Sequence, residues 1–267
     1  DVLAAYEAES FQTDKAAGEK SKMPSDQLFE PDNAAVINSF VSSTQDYRLL
    51  SYLTRLNYDY DNRYYIAGSF RRDGSSRLAP EHRWGNFWSV GANWRISQEE
   101  FMKNVRWVNN LSVKASYGVQ GNDRLLDSNG YDIYYAWQSF YSLSYPNNTM
   151  NGAALSSLEN KGLKWEKNGN LNVGVEGRLF DRVSFSVEWY QRKTSDMLMS
   201  FPMATSLGFD GYNKNIGSMR NRGLDVSVAT DIFQQPNFGW RLTLMGSTVK
   251  NEVLQLADKP EIINGSY

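Results

Sequence analysis

The side chains that could perform catalysis are few and scattered. The chain has one histidine and no cysteine, and the lack of cysteine excludes a disulfide framework and a thiolate metal site. The histidine, His82, lies between Glu81 and Arg83, where a solvated loop residue is a better interpretation than a catalytic base. No G-x-S-x-G turn, phosphate-binding glycine loop or metal-spaced histidine–glutamate pair is present. The sequence therefore predicts no enzyme, no metal and no cofactor.

The cluster Arg71, Arg72 and Asp73 could bind an anionic ligand. A structural role is the preferred interpretation, because the three residues fall within a predicted strand. Alternation would place Arg71 and Asp73 on the polar face and Arg72 on the other, near one end.

Binding is indicated by a long segment that is rich in aromatic rings, residues 121–166. Exposed rings of this kind can stack on sugars or pack on a partner protein, and they can also fold the loop onto itself. Tyr134, Tyr135 and Trp137 lie midway along the segment and are the candidate contacts with ligand or partner. The rings in this segment are Tyr131, Tyr134, Tyr135, Trp137, Phe140, Tyr141 and Tyr145.

The elements that must position these residues are β-strands. In residues 111–119 the apolar side chains Leu111, Val113 and Ala115 alternate with Ser112 and Lys114, which is the period of a strand with two different faces. No segment of similar length shows a helical period, so the chain is predicted to be all-β. The alternating segments are residues 54–60, 88–96, 111–119, 171–179, 183–189, 224–232 and 240–248, with a weaker one at 64–73.

The connections between these strands alternate between short and long. Asp61–Asn62 and Asp181–Arg182 are predicted tight turns, residues 234–239 a short one, and residues 97–108 a longer connection with a helical turn near 99–103. Short turns at one end and long loops at the other are typical of outer-membrane β-barrels. The remaining connections are residues 11–47, 74–83, 121–166 and 200–219.

A soluble β-sandwich would also alternate, but two features favour an antiparallel transmembrane β-barrel. Aromatic residues gather near the short turns, where an interfacial belt belongs, and charges occur on the polar face of most strands, as in a wet lumen. The belt candidates are Tyr58, Tyr60, Tyr64, Trp94 and Trp240. We expect lipid contact from Leu56, Val90, Val113, Val173, Val187, Val226 and Leu242. We expect Asn57, Asn93, Lys114, Glu176, Glu188 and Asp225 to face water.

Several ordered motifs resemble those of SusC/RagA-type TonB-dependent transporters of the outer membrane. The resemblance covers about residues 50–254 and is carried by residues 70–77, 83–97, 115–122, 163–167, 190–198, 215–217 and 221–225. One departure is Trp88, where the family usually has proline. The formal net charge of −2 gives no basic face for nucleic acid.

The resemblance implies fold, partners and function. Such transporters have 22 strands and a plugged lumen, so residues 1–267 would be a middle section of eight or nine strands of one barrel domain, starting in the end of a strand (residues 2–7), without plug or C-terminal strands. TonB would power import of an oligosaccharide, or of an oligopeptide, beneath a SusD/RagB-like lipoprotein lid. The alternative function is an adhesin or a soluble carbohydrate-binding β-module without transport.

Overall fold

The computed structural model describes residues 1–27, 30–127, 129–147, 150–209 and 211–256, without the side chains of residues 144–151. In this part of the chain nearly all regular structure is β-strand, and no helix is both long and apolar enough to cross a membrane. The strands are β1 Val2–Ser21, β2 Val36–Tyr60, β3 Tyr64–Ser75, β4 Trp84–Trp94, β5 Val108–Asn122, β6 Phe140–Asn147, β7 Met150–Ser157, β8 Glu166–Leu179, β9 Val183–Ser195, β10 Leu198–Pro202, β11 Gly211–Asn215, β12 Ser218–Gln235 and β13 Phe238–Gln255.

Nine of these strands form one antiparallel sheet in the order β1-β2-β3-β4-β5-β8-β9-β12-β13. Strands β6 and β7 form a separate hairpin within the long segment between β5 and β8, and β10 and β11 form another between β9 and β12. Each strand of the main sheet thus pairs with its nearest predecessor in sequence among the main strands. This up-and-down order is the one that an outer-membrane barrel wall requires.

The tight turns have the geometry of two-residue hairpins. Asp61 and Asn62 both have φ of 53°, and the N–H of Arg63 donates to the carbonyl of Tyr60 at 3.0 Å. Two consecutive positive φ values define the type I′ turn, whose twist matches that of paired strands. The second turn has its positive φ values at Phe180 and Asp181, one residue before the predicted pair.

The prediction that residues 11–47 form a long connection is wrong. The prediction that residues 2–7 are only the last residues of a strand is also wrong. Strand β1 continues to Ser21 and β2 begins at Val36, so most of this segment is a paired hairpin. Its side chains are almost all exposed on both faces. The sequence carries no period-2 signal over residues 11–47, so strand periodicity does not predict this hairpin.

The other connections are largely as predicted, with additions. Two 3-10 turns, Ile96–Gln98 and Glu100–Met102, occupy the connection between β4 and β5, near the predicted helical turn. The loops predicted at residues 121–166 and 200–219 contain the β6–β7 hairpin and most of the β10–β11 hairpin. One end of the sheet therefore carries short turns and the other carries elaborated loops, which we call the short-turn end and the long-loop end.

Strand register confirms the predicted assignment of faces. Val113 pairs with Val175, Val175 with Val187, and Val187 with Val226. Directly opposed residues share a face, so these valines form one row across four strands. Gly174 pairs with Lys114 on one side and with Glu188 on the other, and Glu188 pairs with Asp225. The opposite face therefore carries Lys114, Glu188 and Asp225. We call the two sides the apolar face and the polar face.

The buried apolar core is small and lies at the long-loop end. Leu78, Phe87, Leu163 and Trp165 form it, with Leu49, Ala136, Trp137 and Leu198 packed against it. The rest of the sheet is half-exposed on both faces. Cross-strand hydrogen bonds, and not a central apolar core, therefore hold most of the described sheet together.

Candidate functional site

The polar face is organised in rows that run across the strands. The Asn172 row contains Asn57, Ala67, Gly91, Ser116, Asn172, Tyr190, Gly223 and Val249. The Asn170 row, one step nearer the long-loop end, contains Arg55, Ser69, Ser89, Gly118, Asn170, Arg192, Asn221 and Asn251. Amides, hydroxyls and glycines dominate both rows, so this face presents many neutral hydrogen-bonding groups to water.

Several charges on the polar face are paired with each other. The Lys114 ammonium lies 2.9 Å from Glu188 and 3.6 Å from Glu176. The guanidinium of Arg71 lies 2.6 Å from Asp73 and 3.0 Å from Glu7, and it also donates to the Ser51 hydroxyl. Arg71 and Asp73 are on this face as predicted, and the contacts agree with the structural role preferred for that cluster.

At the long-loop end the hydrophobic cluster joins three loops. Phe87 meets Trp165 edge-on, with ring centroids 5.2 Å apart, and the Trp165 indole N–H donates to the carbonyl of Arg83 at 2.8 Å. Gly121 leaves room for the Phe87 ring, because a Cβ there would lie 2.0 Å from Phe87 Cζ. Burial of Leu78, which is 2% exposed, then fixes the β3–β4 connection against the sheet.

Arg77 is the central residue of the loop base. Its guanidinium lies over the rings of Tyr47 and Tyr134, at 4.6 and 4.8 Å from their centroids. Arg77 Nη1 is 3.6 Å from Asp132, which Arg124 contacts at 2.7 Å. The Arg77 side chain is only 9% exposed, and desolvated cation–π contacts are the stronger ones. Arg77 therefore links the middle of β2 and the β3–β4 connection to the long loop at residues 121–166.

Tyr47 stands beside this cation and beside Asp123. The Ser75 hydroxyl donates to Asp123 Oδ2 at 2.5 Å, and the Tyr47 hydroxyl lies 3.5 Å from the same oxygen. Burial, with the nearby Asp123 carboxylate as the second cause, raises the pKa of Tyr47 to about 12. Tyr47 lies at the long-loop end, beyond the pairing of β2 with β3. Its phenol thus stays protonated as a hydrogen-bond donor well above neutral pH.

The three predicted contact residues all belong to this loop base. Tyr134 covers Arg77, Tyr135 accepts a hydrogen bond from the backbone N–H of Asp46 at 2.7 Å, and Trp137 packs against the hydrophobic cluster. All three are partly buried, so each has an internal contact and some free surface. Within the same loop Tyr131 and Tyr141 are far more exposed, at 72% and 63%. The side chain of Tyr145 lies outside the described part.

The short-turn end carries the predicted aromatic belt. Tyr64 and Trp94 stack with an interplanar angle of 12°, and Tyr60 lies beside Tyr64. Glu99, in the β4–β5 connection, accepts hydrogen bonds from the Tyr64 hydroxyl at 2.5 Å and the Trp94 indole at 2.9 Å. The hydrogen bond from Tyr64, followed by that from Trp94, lowers the pKa of Glu99. A single carboxylate thus holds the polar tips of two belt rings.

The described residues contain no group of three or more histidine, cysteine, aspartate and glutamate side chains able to hold a metal ion. His82 is exposed in the β3–β4 connection, where its backbone N–H donates to the carbonyl of Ala79. The arrangement offers two binding features instead of a reaction centre. One is the row-patterned polar face, and the other is the loop base with its exposed aromatic hairpin.

Sequence reasoning missed the roles of Arg77, Asp132 and Glu99. Arg77 is the last residue of the motif at residues 70–77, but the motif gives no indication of the two rings that contact its side chain. The partners lie 30 residues before it and 57 residues after it in the chain, a separation that no local pattern reports. The row containing Tyr190 and Gly223 was also missed, because it depends on the register of neighbouring strands.

Comparisons with known proteins agree with this geometry. The sequence profile of the family described as "TonB dependent receptor-like, beta-barrel" matches residues 7–261. TonB-dependent receptor P39 of Formosa agariphila is 36% identical over 232 residues, covering 86% of this chain and 22% of the relative. TonB-dependent receptor SusC of Bacteroides thetaiotaomicron is 32% identical over 230 residues, covering 85% of this chain and 23% of the relative.

Among solved structures, the RagAB peptide transporter superposes with a TM-score of 0.86 at 28% sequence identity, covering 96% of this chain and 28% of that one. An antiparallel wall with one apolar and one polar face is the architecture of an outer-membrane β-barrel. The chain belongs to the TonB-dependent receptor β-barrel family, of the SusC/RagA-like kind. It spans between 22% and 28% of the length of these relatives, and in barrels of this architecture the polar face lines the lumen.

Proposed function

We propose that the receptor containing this chain imports a nutrient across the outer membrane by TonB-dependent active transport. An oligosaccharide is the favoured cargo and an oligopeptide the second. The observation that carries the proposal is the lumen wall itself, which is polar, rich in amides and internally charge-paired. Such a surface hydrogen-bonds a polar polymer without holding it by strong ionic contacts. The family membership supplies the link to TonB.

The proposed partners are a SusD/RagB-like surface lipoprotein as lid and TonB acting on a plug domain. The structural neighbour is named as a peptide importer with "closed-closed" and "open-open" states. By analogy, opening and closing of a lid over the long-loop end would admit cargo. The family is one of receptors and transporters, so we propose that no catalysis takes place in this wall.

Transport is tested in cells that carry the full-length receptor, with its lipoprotein neighbour and with TonB present or deleted. Labelled mixtures of uncharged oligosaccharides and of short peptides serve as probes. We expect concentrative uptake of one class that is lost without TonB and lost when the proton-motive force is collapsed. Surface binding without uptake would overturn the proposal and favour the adhesin alternative.

We further propose that the long loop contacts lid or cargo through Tyr134, Tyr135 and Trp137. Changing all three to Ala should weaken lid or cargo binding severalfold, since a good aromatic contact contributes about 0.5–1.5 kcal/mol beyond its buried area. Barrel assembly should survive, because the change lies outside the nine-stranded sheet. The measurement is lid affinity and uptake in the full-length receptor.

Two further variants separate direct contact from loop packing. Arg77→Met removes the cation beneath Tyr134 but keeps all three aromatic side chains. If Arg77→Met and the triple alanine variant lose lid or cargo binding equally, the three rings act only through loop packing. Tyr131→Ala with Tyr141→Ala removes the two most exposed rings among the described side chains of the loop. If that pair alone abolishes lid binding, the contact belongs to them and not to the predicted trio.

A further inference from the structure

We propose that a groove on the lumen face, formed by β8, β9, β12 and β13, is a subsite for one ring of an uncharged oligosaccharide. The inference rests on the proposed transport function and names a site within the wall for it. The groove has a volume of about 350 Å³ and is lined by Asn170, Asn172, Tyr190, Gln191, Arg192, Asn221, Val249 and Asn251. All of these residues except Gln191 belong to the Asn170 row or the Asn172 row.

One aromatic side chain, Tyr190, lines the groove and lies over a glycine of the neighbouring strand. Tyr190 pairs with Asn172 on one side and with Gly223 on the other. A Cβ at Gly223 would lie 2.7 Å from Tyr190 Cζ and 2.6 Å from its hydroxyl oxygen. The phenol therefore occupies the space that any other residue at 223 would fill. The phenol end of Tyr190 thus lies over Gly223, and the side chain lines the groove.

Gly223 is required by the backbone as well as by the ring. A Cβ there would lie 2.1 Å from the carbonyl oxygen of Thr248 on β13, so a larger residue would push the two strands apart. Aromatic side chains that cover a glycine on a neighbouring strand are a known way to fill such a gap in a sheet. Here the same device also places an aromatic ring within a polar wall, and this ring is the platform of the proposed subsite.

Carboxamides surround this platform. Asn170 and Asn172 lie on the β8 side, and Asn221 and Asn251 lie on the β12 and β13 side. Each carboxamide both donates and accepts hydrogen bonds, as sugar hydroxyls do. Asn221 contributes one of these carboxamides, and its Oδ1 atom is buried without a hydrogen-bond partner among the described atoms.

The charge of the lining favours an uncharged ring over a peptide. Arg192 is the one charged residue among the eight that line the groove, and its guanidinium donates to Asn168 Oδ1 at 3.3 Å. No carboxylate lines the groove to hold the amino terminus or the basic side chains of a peptide. A flat ring face bordered by neutral amides matches a pyranose, whose C–H face is apolar and whose rim carries hydroxyls.

The groove is also continuous with the rest of the wall. Asn172 lines two further grooves, one with Asn93, Lys114 and Ser116, and one with Ser69, Ser89 and Gln120. Transport through a pore requires sites that bind well enough to admit a ligand and weakly enough to release it. Three shallow grooves that share Asn172 would offer a ligand a series of such sites along the wall.

The test measures binding and uptake separately on the full-length receptor. Binding is measured in lipid nanodiscs, which avoid sugar-based detergents, with maltoheptaose, a library of uncharged oligosaccharides and a blocked neutral peptide library as probes. Tyr190→Ala should weaken oligosaccharide binding about twofold to tenfold, while Tyr190→Phe, which keeps the ring, stays near wild type. Asn221→Leu should also weaken it. Ser186→Ala, on the same face of β9 outside the groove, is the matched control.

Each outcome supports or overturns either the proposed subsite or the proposed transport. Loss of oligosaccharide binding in Tyr190→Ala with unchanged peptide binding supports the subsite. Loss of peptide binding alone assigns the groove to peptides and overturns the sugar assignment. Unchanged binding of both classes, or no oligosaccharide binding by the wild type, overturns the subsite even if TonB-dependent uptake persists. Oligosaccharide binding that depends on Tyr190 without any TonB-dependent uptake would instead refute the proposed transport and leave the subsite standing.

Discussion

At the scale of single residues, a few polar side chains fix the ends of the sheet. Arg77 does so at the long-loop end, where it lies between Tyr47 and Tyr134 and beside Asp132. Glu99 does so at the short-turn end, where it binds Tyr64 and Trp94. Both residues link segments distant in sequence, and both can be tested by substitutions that leave the strands intact.

The first prediction concerns Arg77. Replacing Arg77 by Met should loosen the base of the loop at residues 121–166, because two partly desolvated cation–π contacts of about 1–2 kcal/mol each are lost. Arg124 contacts the same Asp132 but its side chain is 59% exposed, and exposed ion pairs contribute about 0–1 kcal/mol. Arg124→Gln is therefore the matched control. Limited proteolysis of the full-length receptor should cut this loop severalfold faster in Arg77→Met only, and equal rates in both variants would contradict the role given to Arg77.

The second prediction concerns pH and Glu99. The pKa of Glu99 in the folded receptor is lowered, so its contribution to stability is present above the ordinary glutamate pKa and is lost as the pH falls through the lowered value. Comparing the unfolding of wild type with Glu99→Gln should show a difference at neutral pH that shrinks under acidic conditions below about pH 4.5. A difference that is independent of pH would show that the carboxylate charge is not involved.

At the scale of elements, the strands are two-faced and their register decides which residues meet. The valine row across β5, β8, β9 and β12 lies on the apolar face, and the amide rows lie on the other. Since side chains alternate along each strand, adjacent positions meet opposite environments. This gives a direct test of which face contacts lipid.

The third prediction compares two neighbours on β12. Val226→Arg should destabilise the assembled barrel by about 2–4 kcal/mol if Val226 lies near the bilayer midplane, whereas Ser227→Arg, which points into the lumen, should cost little. The measurement is the folded fraction against denaturant in lipid vesicles. Equal costs, or a higher cost for Ser227→Arg, would reverse the assignment of the faces.

At the scale of the whole molecule, the described sheet is open. Strands β1 and β13 stand at the two ends of the strand order, each with one paired side. An unpaired strand edge within lipid leaves backbone groups without hydrogen bonds, and only closure of a barrel removes such edges. An outer-membrane wall with these two edges therefore requires further strands to close it.

The fourth prediction follows from those edges. Residues 1–267 expressed alone should aggregate or remain unfolded in water, because two long edges and a broad apolar face stay uncovered. Analytical ultracentrifugation and thermal denaturation of the refolded chain test this. A monodisperse monomer with a cooperative melting transition would contradict it and favour a β-sandwich.

The sequence alone determined the local features of this protein. Alternation along the strands predicted the faces, and register confirmed that Leu56 and Val226 belong to one face and Asn57 and Asp225 to the other. The Asp61–Asn62 pair predicted a tight turn that the backbone shows. These predictions succeed because strand periodicity and turn preference depend on residues that are neighbours in the chain.

Tertiary structure alone decided the contacts between distant segments. The aromatic loop was evident from its composition, but only the fold shows that Tyr134 covers Arg77 and that Tyr190 lies on Gly223. The long β1–β2 hairpin was not predicted either, because residues 11–47 carry no regular alternation of apolar and polar side chains. Such contacts are set by strand register and loop packing, which join residues far apart in sequence and leave no periodic trace in it.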